Sequence, residues 1–429
     1  MKKFTKNSSY KIIRITNNEK IALTFNTYYP WEKRNFDIIN IPNDTQLKDI
    51  ILANNEVDAI VVQYDEPEVR KEYDLPELKK LPYYYLRRTY YYDNKENYGI
   101  DLALRISEDM LSSHSTPLFS IVTPLYNTNI NNFKLAYESL CNQSLNDWEW
   151  VLVDDSPEPL DIIKAFISRV KDPRVRYHRI SPTKGNIGLS KWRANCMSRG
   201  KWLIEFDHDD MLNWWCLQTI YEAIKAFPNN KFIYSDNTTI DANNNITECA
   251  FGEYFGLGYG HSYQSKTPNG NTIRTDSSGP INNATIRHIV GVPNHFRCWE
   301  RNLYFAIGGH NQYMRIADDY ELLLRTFLHT RFTHIPVCCY CQRFDGNNSQ
   351  FAEANKDSDG QGNINDIQRR LRLAAIYYDE AIHNRLEEYG LDDSKWIKGD
   401  PYETAKVYEK IHPTETCDDI YIPDWAKEN

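Results

Sequence analysis

From Leu118 onward, short apolar runs and amphipathic stretches take turns along the chain. Residues 119–123, 150–153 and 202–204 are compact, largely apolar runs of strand length, and 174–180 interleaves basic with apolar positions and also reads as a strand. Between them, residues 131–140, 157–170 and 186–198 carry apolar positions at helical spacing. Strands and helices in strict alternation predict a mostly parallel sheet with right-handed crossovers. Ligands of such sheets bind at the carboxyl ends of the strands. Two runs end in acids there. The run 150–153 leads into Asp154-Asp155, and 202–204 leads into Asp207, Asp209 and Asp210.

The flanks read differently. Residues 1–115 predict a small α/β unit, with strands near 11–15 and 58–62 and a helix over 46–53. That unit ends in an aromatic and basic block, residues 83–92, suited to packing between domains or to contact with a sugar or a membrane face. Residues 112–117 are polar, end in proline and read as a linker. Residues 241–290 are rich in Asn, Gly, Ser and Tyr and read as a long functional loop. A helix over 320–328, a strand over 333–340 and a long helix over 365–388 follow, the last inside an acidic, aromatic tail. The predicted organisation is an accessory unit over 1–115, a main domain over 118–350 that divides near 240, and a helical extension over 351–429.

Composition narrows the function classes. The chain of 429 residues carries a formal net charge of −9, which argues against a general nucleic-acid binder. It has no apolar run long enough to span a bilayer and no secretory leader at its start. Of nine cysteines, Cys338-Cys339-Tyr340-Cys341 is the densest group. It lacks C-x-x-C spacing and reads as reduced thiols in a strand. A cytoplasmic location follows, with contact at the inner face of a membrane left open.

Clustered carboxylates at a strand end repel one another unless a cation or hydrogen-bond donors compensate them. Hard oxygen ligands of this kind suit Mg²⁺ or Mn²⁺ shared with a diphosphate. Asp209 is the first candidate for direct coordination. Asp210, next to it, could point away and cap the following helix, and all three acids could cap a helix starting near Leu212. Asp318 and Asp319 precede the helix over 320–328, where the helix dipole favours negative charge. One of them could be a general base; both could be caps. Glu321 and Arg325, four apart, read as a structural ion pair.

Taken in order, these elements resemble the nucleotide-sugar-dependent glycosyltransferases of family 2, whose fold is called GT-A. The resemblance covers roughly residues 118–350. It rests on Ser120-Ile-Val-Thr-Pro-Leu-Tyr-Asn127, Val151-Leu-Val-Asp-Asp-Ser156, Gly185-Asn-Ile-Gly-Leu189 with Arg193-Ala-Asn195, Asp207-His-Asp-Asp210, Tyr234-Ser-Asp236 and Ala317-Asp-Asp-Tyr-Glu-Leu322. It implies a Rossmann-like α/β sheet and an inverting transfer from a nucleoside diphosphate sugar, UDP by default. Thr123, Pro124 and Tyr126 would line the base pocket, Asp155 would accept from the nucleobase, and Asp154 would support the loop. Asn186 belongs to the glycine-containing loop, and His208 to the acidic motif. Asp207 would meet ribose or the metal shell, and Asp209 the metal. Lys184 and Arg193 would meet phosphate or ribose, or act as a solvated lysine and an ion-paired arginine. Asp319 is favoured over Asp318 as catalytic base. His295 and Arg297 fall on the acceptor or diphosphate side, and Arg343 resembles a closing loop that reaches the donor phosphates.

Processive synthases of the family carry Gln-x-x-Arg-Trp and membrane spans. Gln342-Arg343-Phe344 is only an echo of that motif, so transfer of one sugar to a glycan or glycoconjugate acceptor is the reading. A sugar nucleotidyltransferase would carry a glycine-rich basic loop, which residues 123–128 lack. A silent carbohydrate-binding scaffold is the rival of another class. The long helix near the carboxyl terminus leaves a homodimer open.

Overall fold

A computed structural model of the protein describes residues 10–16, 36–42, 45–53, 57, 59–64, 89–93, 116–180, 182–183, 185–248, 261–282, 285–288, 293–314, 317–344, 373–389 and 416–427. The chain forms two compact units: Met1–Asn127 with Asp147–Leu203, and Thr128–Asn146 with Ile204–Asn429.

The first unit holds two sheets. One consists of β1 (Tyr10–Thr16), β2 (Phe36–Ile41), β3 (Ala59–Tyr64) and β4 (Thr89–Asp93), in the order β2-β1-β3-β4. All its pairings are parallel. Ile13, Ile15, Ile41 and Ile60 pack with Leu47, Ile51 and Val57 from and beside the helix Leu47–Ala53. The expected small α/β unit is therefore a parallel sheet. β2 and β4 were not anticipated; β4 lies across the end of the tyrosine block, where an aromatic at nearly every position hides any period of two.

The other sheet contains β5 (Phe119–Leu125), β6 (Trp148–Asp154), β7 (Val175–Arg179) and the start of β8 (Trp202–Glu205), whose Ile204 and Glu205 belong to the second unit, in the order β8-β5-β6-β7. β5, β6 and β7 run parallel. Every residue of β6 is buried, as expected of a central strand covered on both faces. The helices Asp161–Val170 and Ile187–Cys196 are the crossovers that the pattern predicted. Gly200 lets the turn before β8 lie against β5. A Cβ there would sit 2.4 Å from the Ser120 nitrogen and 2.7 Å from the Phe119 carbonyl carbon.

One boundary differs from expectation. The first helix begins at Asp161 rather than at Pro157, because the Asp154 carboxylate accepts from the backbone N–H groups of Ser156 and Leu160 at 3.0 and 3.2 Å. Residues 156–160 wrap around that carboxylate instead of joining the helix.

The second unit is built on β9 (Met211–Leu212), β10 (Phe232–Ile240), β11 (Ser262–Lys266), β12 (Thr272–Asp276), β13 (Arg297–Glu300), β14 (Phe332–Arg343) and β15 (Asp419–Ile420). β10 pairs parallel with β14 and antiparallel with β12 and β13. Phe232, Trp299 and Phe332 form the aromatic contact across these strands, with centroid separations of 4.9 and 4.4 Å from Phe232. All nine residues of β10 are buried although Ser235 to Thr239 are polar. Hydrogen bonds make this tolerable: the Asp236 carboxylate accepts from the Ser278 N–H (2.8 Å), the Tyr263 hydroxyl (2.7 Å) and a His334 ring nitrogen (2.8 Å).

The expected long loop over 241–290 contains the hairpin β11–β12, turned through Asn269-Gly270 with Gly270 at φ +78°. Asn-Gly between short alternating runs is a strong hairpin signal. Cys338, Cys339 and Cys341 lie buried in β14 as free thiols, as read from their alternation. The tail is not purely helical. The helix Asp379–Glu388 is present, residues 365–372 fall outside the described residues, and β15 joins β14 in parallel. Among the described residues, no helix is long and apolar enough to cross a membrane.

Candidate functional site

In the first unit the candidate nucleotide-binding residues gather at the carboxyl ends of β5 and β6. Thr123 is buried, and its hydroxyl accepts from the Trp150 indole at 2.8 Å, so its side chain serves the core. Pro124 is partly exposed and Tyr126 is 46% exposed, presenting its ring just beyond this strand end. Asn127 follows in the left-handed region (φ 47°), its N–H donating to the Ser156 hydroxyl at 3.0 Å.

Asp154 is fully buried and committed to the protein. Besides the two backbone donors it accepts from the Tyr177 hydroxyl at 2.6 Å and lies 2.8 Å from the Arg179 guanidinium. It holds the loop and is not available to a ligand. Asp155 accepts from both the backbone N–H and the hydroxyl of Thr183, each at 2.6 Å. Burial pushes its carboxyl above the ordinary range, opposed by Thr183, Ser190 and the nearby Arg193 charge. Arg193 is buried in the helix Ile187–Cys196 and acts on Asp155, which favours its ion-pairing alternative. Asn186 caps that helix, its side-chain oxygen accepting from the Leu189 N–H at 3.1 Å. Lys184 lies outside the described residues.

The second unit carries the other candidates. After β8 the chain turns through Asp207-His208-Asp209-Asp210, and the acids divide. Asp210 is buried; its carboxylate accepts from the Tyr340 hydroxyl and the Arg343 N–H, both at 2.6 Å. Burial, then the charges of Asp209 and Asp207, raise its pKa well above the usual carboxylate range. Asp207 and Asp209 keep side chains 42% and 29% exposed. Asp207 stands 3.7 Å from the His295 imidazole, and Asp209 stands 3.9 Å from that of His208. Tyr340 also accepts from the Asp207 N–H at 3.2 Å and stacks on His295, with centroids 5.0 Å apart.

Helix capping by these acids is not observed. β9 follows the turn, and the next helix, Cys216–Ala226, starts at Trp215 with no side-chain cap. Arg343 is likewise not offered to a phosphate. It is buried in β14, with its guanidinium donating to the Asp209 carbonyl (2.8 Å), the Asp241 carbonyl (2.9 Å) and the Asn244 side chain (2.6 Å). It ties the acidic turn to residues 241–244.

The acidic pair opens the helix Asp318–Phe327, preceded by Ala317 at φ 63°. Asp318 is buried, 3.8 Å from His310. The Asp319 side chain is 33% exposed and accepts from the Arg297 guanidinium at 3.1 Å. Arg297 is itself buried in β13 and donates to the Pro293 carbonyl (2.8 Å) and to Glu205 (3.3 Å). Its burial opposes its charge, but Asp319 and Glu205 together hold its pKa above the ordinary arginine value. Arg297 therefore holds Asp319 from a buried position in β13. Glu321 and Arg325 form the expected ion pair at 2.7 Å, and Arg325 also donates to the Gly309 carbonyl at 2.7 Å. Gly308 and Gly309 occupy left-handed backbone (φ 92° and 60°), the freedom this turn requires.

Glu205 and Tyr340 were missed from sequence. Glu205 left a signal, an acid inside the apolar run from Trp202 to Phe206, where a buried carboxylate demands a partner. Tyr340 left none.

Residues 120–276 match the family model described as glycosyl transferase family 2, so the family resemblance read from the motifs holds over this span. An uncharacterized protein of Sinorhizobium fredii is 26% identical over 227 residues, 52% of this chain and 22% of that protein. The chondroitin synthase of Pasteurella multocida (strain Pm70) is 24% identical over 272 residues, 62% of this chain and 25% of that protein. The chain thus spans about a quarter of the length of these relatives. A crystal structure of S. aureus TarS 1-349 in complex with UDP-GlcNAc aligns at a TM-score of 0.44 and 13% identity, over 65% of this chain and 74% of that one.

Proposed function

We propose that the chain transfers a single sugar from a nucleoside diphosphate sugar to an acceptor hydroxyl, with inversion, in glycan or glycoconjugate synthesis. The observation that carries this reading lies within the second unit. Two partly exposed carboxylates, Asp207 and Asp209, sit on a turn locked by Asp210, Tyr340 and Arg343, and a third, Asp319, is held by Arg297. The family match over residues 120–276 and the chondroitin synthase relative agree with polysaccharide chemistry.

Carboxylate oxygens such as those of Asp207 and Asp209 are the ligand type that a hard divalent cation takes, although no group of three or more ligating side chains gathers among the described residues. Asp209 and Asp207 would hold Mg²⁺ or Mn²⁺. When bound, such an ion offsets charge that builds on the leaving diphosphate.

The remaining work belongs to the chain's own groups. Asp319 accepts the proton of the acceptor hydroxyl as its oxygen attacks the anomeric carbon. The bond from that carbon to the diphosphate oxygen breaks on the opposite face, which inverts the configuration. His295, 3.7 Å from Asp207, would donate toward the diphosphate. The exposed ring of Tyr126 offers a stacking surface for a nucleobase, and UDP is the nucleotide proposed.

A nucleotide-release screen tests the reading. The protein meets UDP-, GDP-, dTDP- and CMP-sugars with Mg²⁺ or Mn²⁺, beside the Asp209→Ala and Asp319→Asn variants. The expected result is release of one nucleoside diphosphate, lost with chelator and in Asp209→Ala. Asp319→Asn should retain donor binding but lose acceptor transfer. If no nucleotide sugar binds in the presence of either metal, the enzyme reading fails and a silent scaffold takes its place.

A further inference from the structure

We infer that Glu205 is a positioning residue for Asp319, acting through Arg297: it balances the guanidinium charge so that Asp319 is oriented without losing its basicity. This rests on the proposed role of Asp319 as general base.

Glu205 ends β8 and is 6% exposed, behind an apolar run. A carboxylate there costs free energy unless it is paired. Two cationic or polar groups stand beside it, the Arg297 Nη1 at 3.3 Å and the His310 Nε2 at 4.0 Å. Each of those groups also faces the acidic pair. The same Arg297 nitrogen reaches Asp319 Oδ2 at 3.1 Å, and the same His310 nitrogen lies 3.8 Å from Asp318 Oδ2. One guanidinium nitrogen is thus shared by a buried carboxylate and a partly exposed one.

The sharing has a chemical consequence. An unbalanced arginine in contact with a carboxylate lowers its pKa by about 1–3 units, and a base so weakened takes a proton poorly. With Glu205 present, Arg297 keeps its geometry, and much of its charge is offset before Asp319 feels it. Among the described residues, Asp318, with His310 beside it, and the mutually paired Glu321 and Arg325 further along the helix also lie near Asp319. Glu205 is the carboxylate that shares the Arg297 Nη1 with Asp319.

The test is the pH profile of transfer by the full chain, compared among the native protein, Glu205→Gln, and Glu205→Gln combined with Arg297→Gln. The expected result for Glu205→Gln is an acidic limb moved down by about one pH unit or more, a plateau kcat reduced several-fold and an unchanged donor KM. The double variant, with both charges removed, should bring the limb back toward the native position. A loss of kcat with an unmoved limb would make Glu205 a purely structural partner and overturn the inference. Should the variants fail to fold, the native limb still decides: it should lie no lower than an ordinary aspartate, near pH 4, and a limb well below that overturns the idea. If Asp319→Asn transfers normally, the reading of Asp319 as base is what fails. If Asp319→Asn is dead while Glu205→Gln keeps the native limb, only the inference fails.

Discussion

Replacing Glu149 by glutamine should destabilise the first unit by an amount that depends on pH in a calculable way. Glu149 lies in β6, 1% exposed. One carboxylate oxygen accepts from the Ser120 hydroxyl and the Arg199 N–H, both at 2.6 Å. The other accepts from the Arg199 Nε at 2.7 Å and the Arg176 Nη1 at 3.1 Å. Burial alone would raise its pKa, but Arg176, Arg199 and Ser120 outweigh that and bring it from 4.5 down to about 2. At 1.36 kcal/mol per unit, the ionised form is favoured in the folded state by on the order of 3 kcal/mol.

Because the folded value lies below the unfolded one, this stability is fully present above about pH 4.5 and is lost as pH falls through about 2. A glutamine keeps the acceptor oxygen facing Ser120 but turns an amide N–H₂ toward two guanidinium donors. The expected deficit is ~3 kcal/mol at pH 7, narrowing to ~2 kcal/mol at pH 3.5. At neutral pH it corresponds to a melting point lower by roughly 6–12 °C. Thermal and urea unfolding at both pH values, followed by the fluorescence of buried Trp148 and Trp150, would measure it. A deficit that stays the same at pH 7 and pH 3.5 would refute the electrostatic account and leave only lost packing.

Three further outcomes are expected. Gly200→Ala drives a methyl group into the backbone of β5, at contacts of 2.4 and 2.7 Å that no rotamer can relieve. It should cost about 3 kcal/mol or more, seen as a collapse of the melting transition; a native-like melt would mean the turn can move aside. Tyr340→Phe removes a donor to buried Asp210 and the acceptor of the Asp207 N–H. Donor turnover should fall about tenfold through loosening of the turn, with far-ultraviolet dichroism unchanged; unchanged turnover would show that Arg343 alone suffices. Burial, opposed by His334, pushes the Asp418 carboxyl from 3.8 up to about 6. A raised folded pKa means that stability is greatest below pH 4 and is lost as pH rises through 6, by about 3 kcal/mol in all. Hydrogen exchange at the Tyr421 amide, bonded to the His334 carbonyl, should therefore accelerate from pH 5 to 7.5 beyond its intrinsic rate. Asp418→Asn should flatten that dependence, and an equally steep dependence in the variant would sink the assignment.

The alternating part of the chain was legible because local and global preferences agree there. β5, β6, β7 and the helix Ile187–Cys196 fall within a few residues of the pattern, since each is an apolar run or stripe bounded by turn residues. β10 was legible only at its start. Its second half, Asp236 to Thr239, is polar beyond the motif Tyr234-Ser-Asp236, yet it is buried, and Ser278, Tyr263 and His334 satisfy Asp236 from distant parts of the chain. No local window contains those partners. β15 escaped for the same reason, being two residues long and defined only by its pairing with β14. The candidate acids were all visible as residue types, but spacing did not say which were free to act. Arg343 shows this best: read by resemblance as part of a closing loop that reaches the donor phosphates, it spends its guanidinium on three acceptors within the fold.

Burial sorts the acids where sequence position cannot. Asp210 and Asp318 are buried within the second unit, while Asp207, Asp209 and Asp319 remain partly exposed. A buried carboxylate with strong donors fixes the backbone, and the adjacent residue is then aimed without spending its own oxygens. In the first unit the rule bends, because Asp154 and Asp155 are both buried. Asp154 has four partners and nothing to offer. Asp155 differs. Thr183 takes one lone-pair site on each oxygen, and a carboxylate has about four such sites. That leaves capacity for a further donor, of which a nucleobase N–H is one kind. Its raised pKa makes that donor worth more, because each added hydrogen bond offsets desolvation of a charge that the protein has only partly compensated. Asp155→Asn should then weaken nucleotide binding even where its contacts to Thr183 survive, whereas Thr183→Ala should disturb the loop first and binding second.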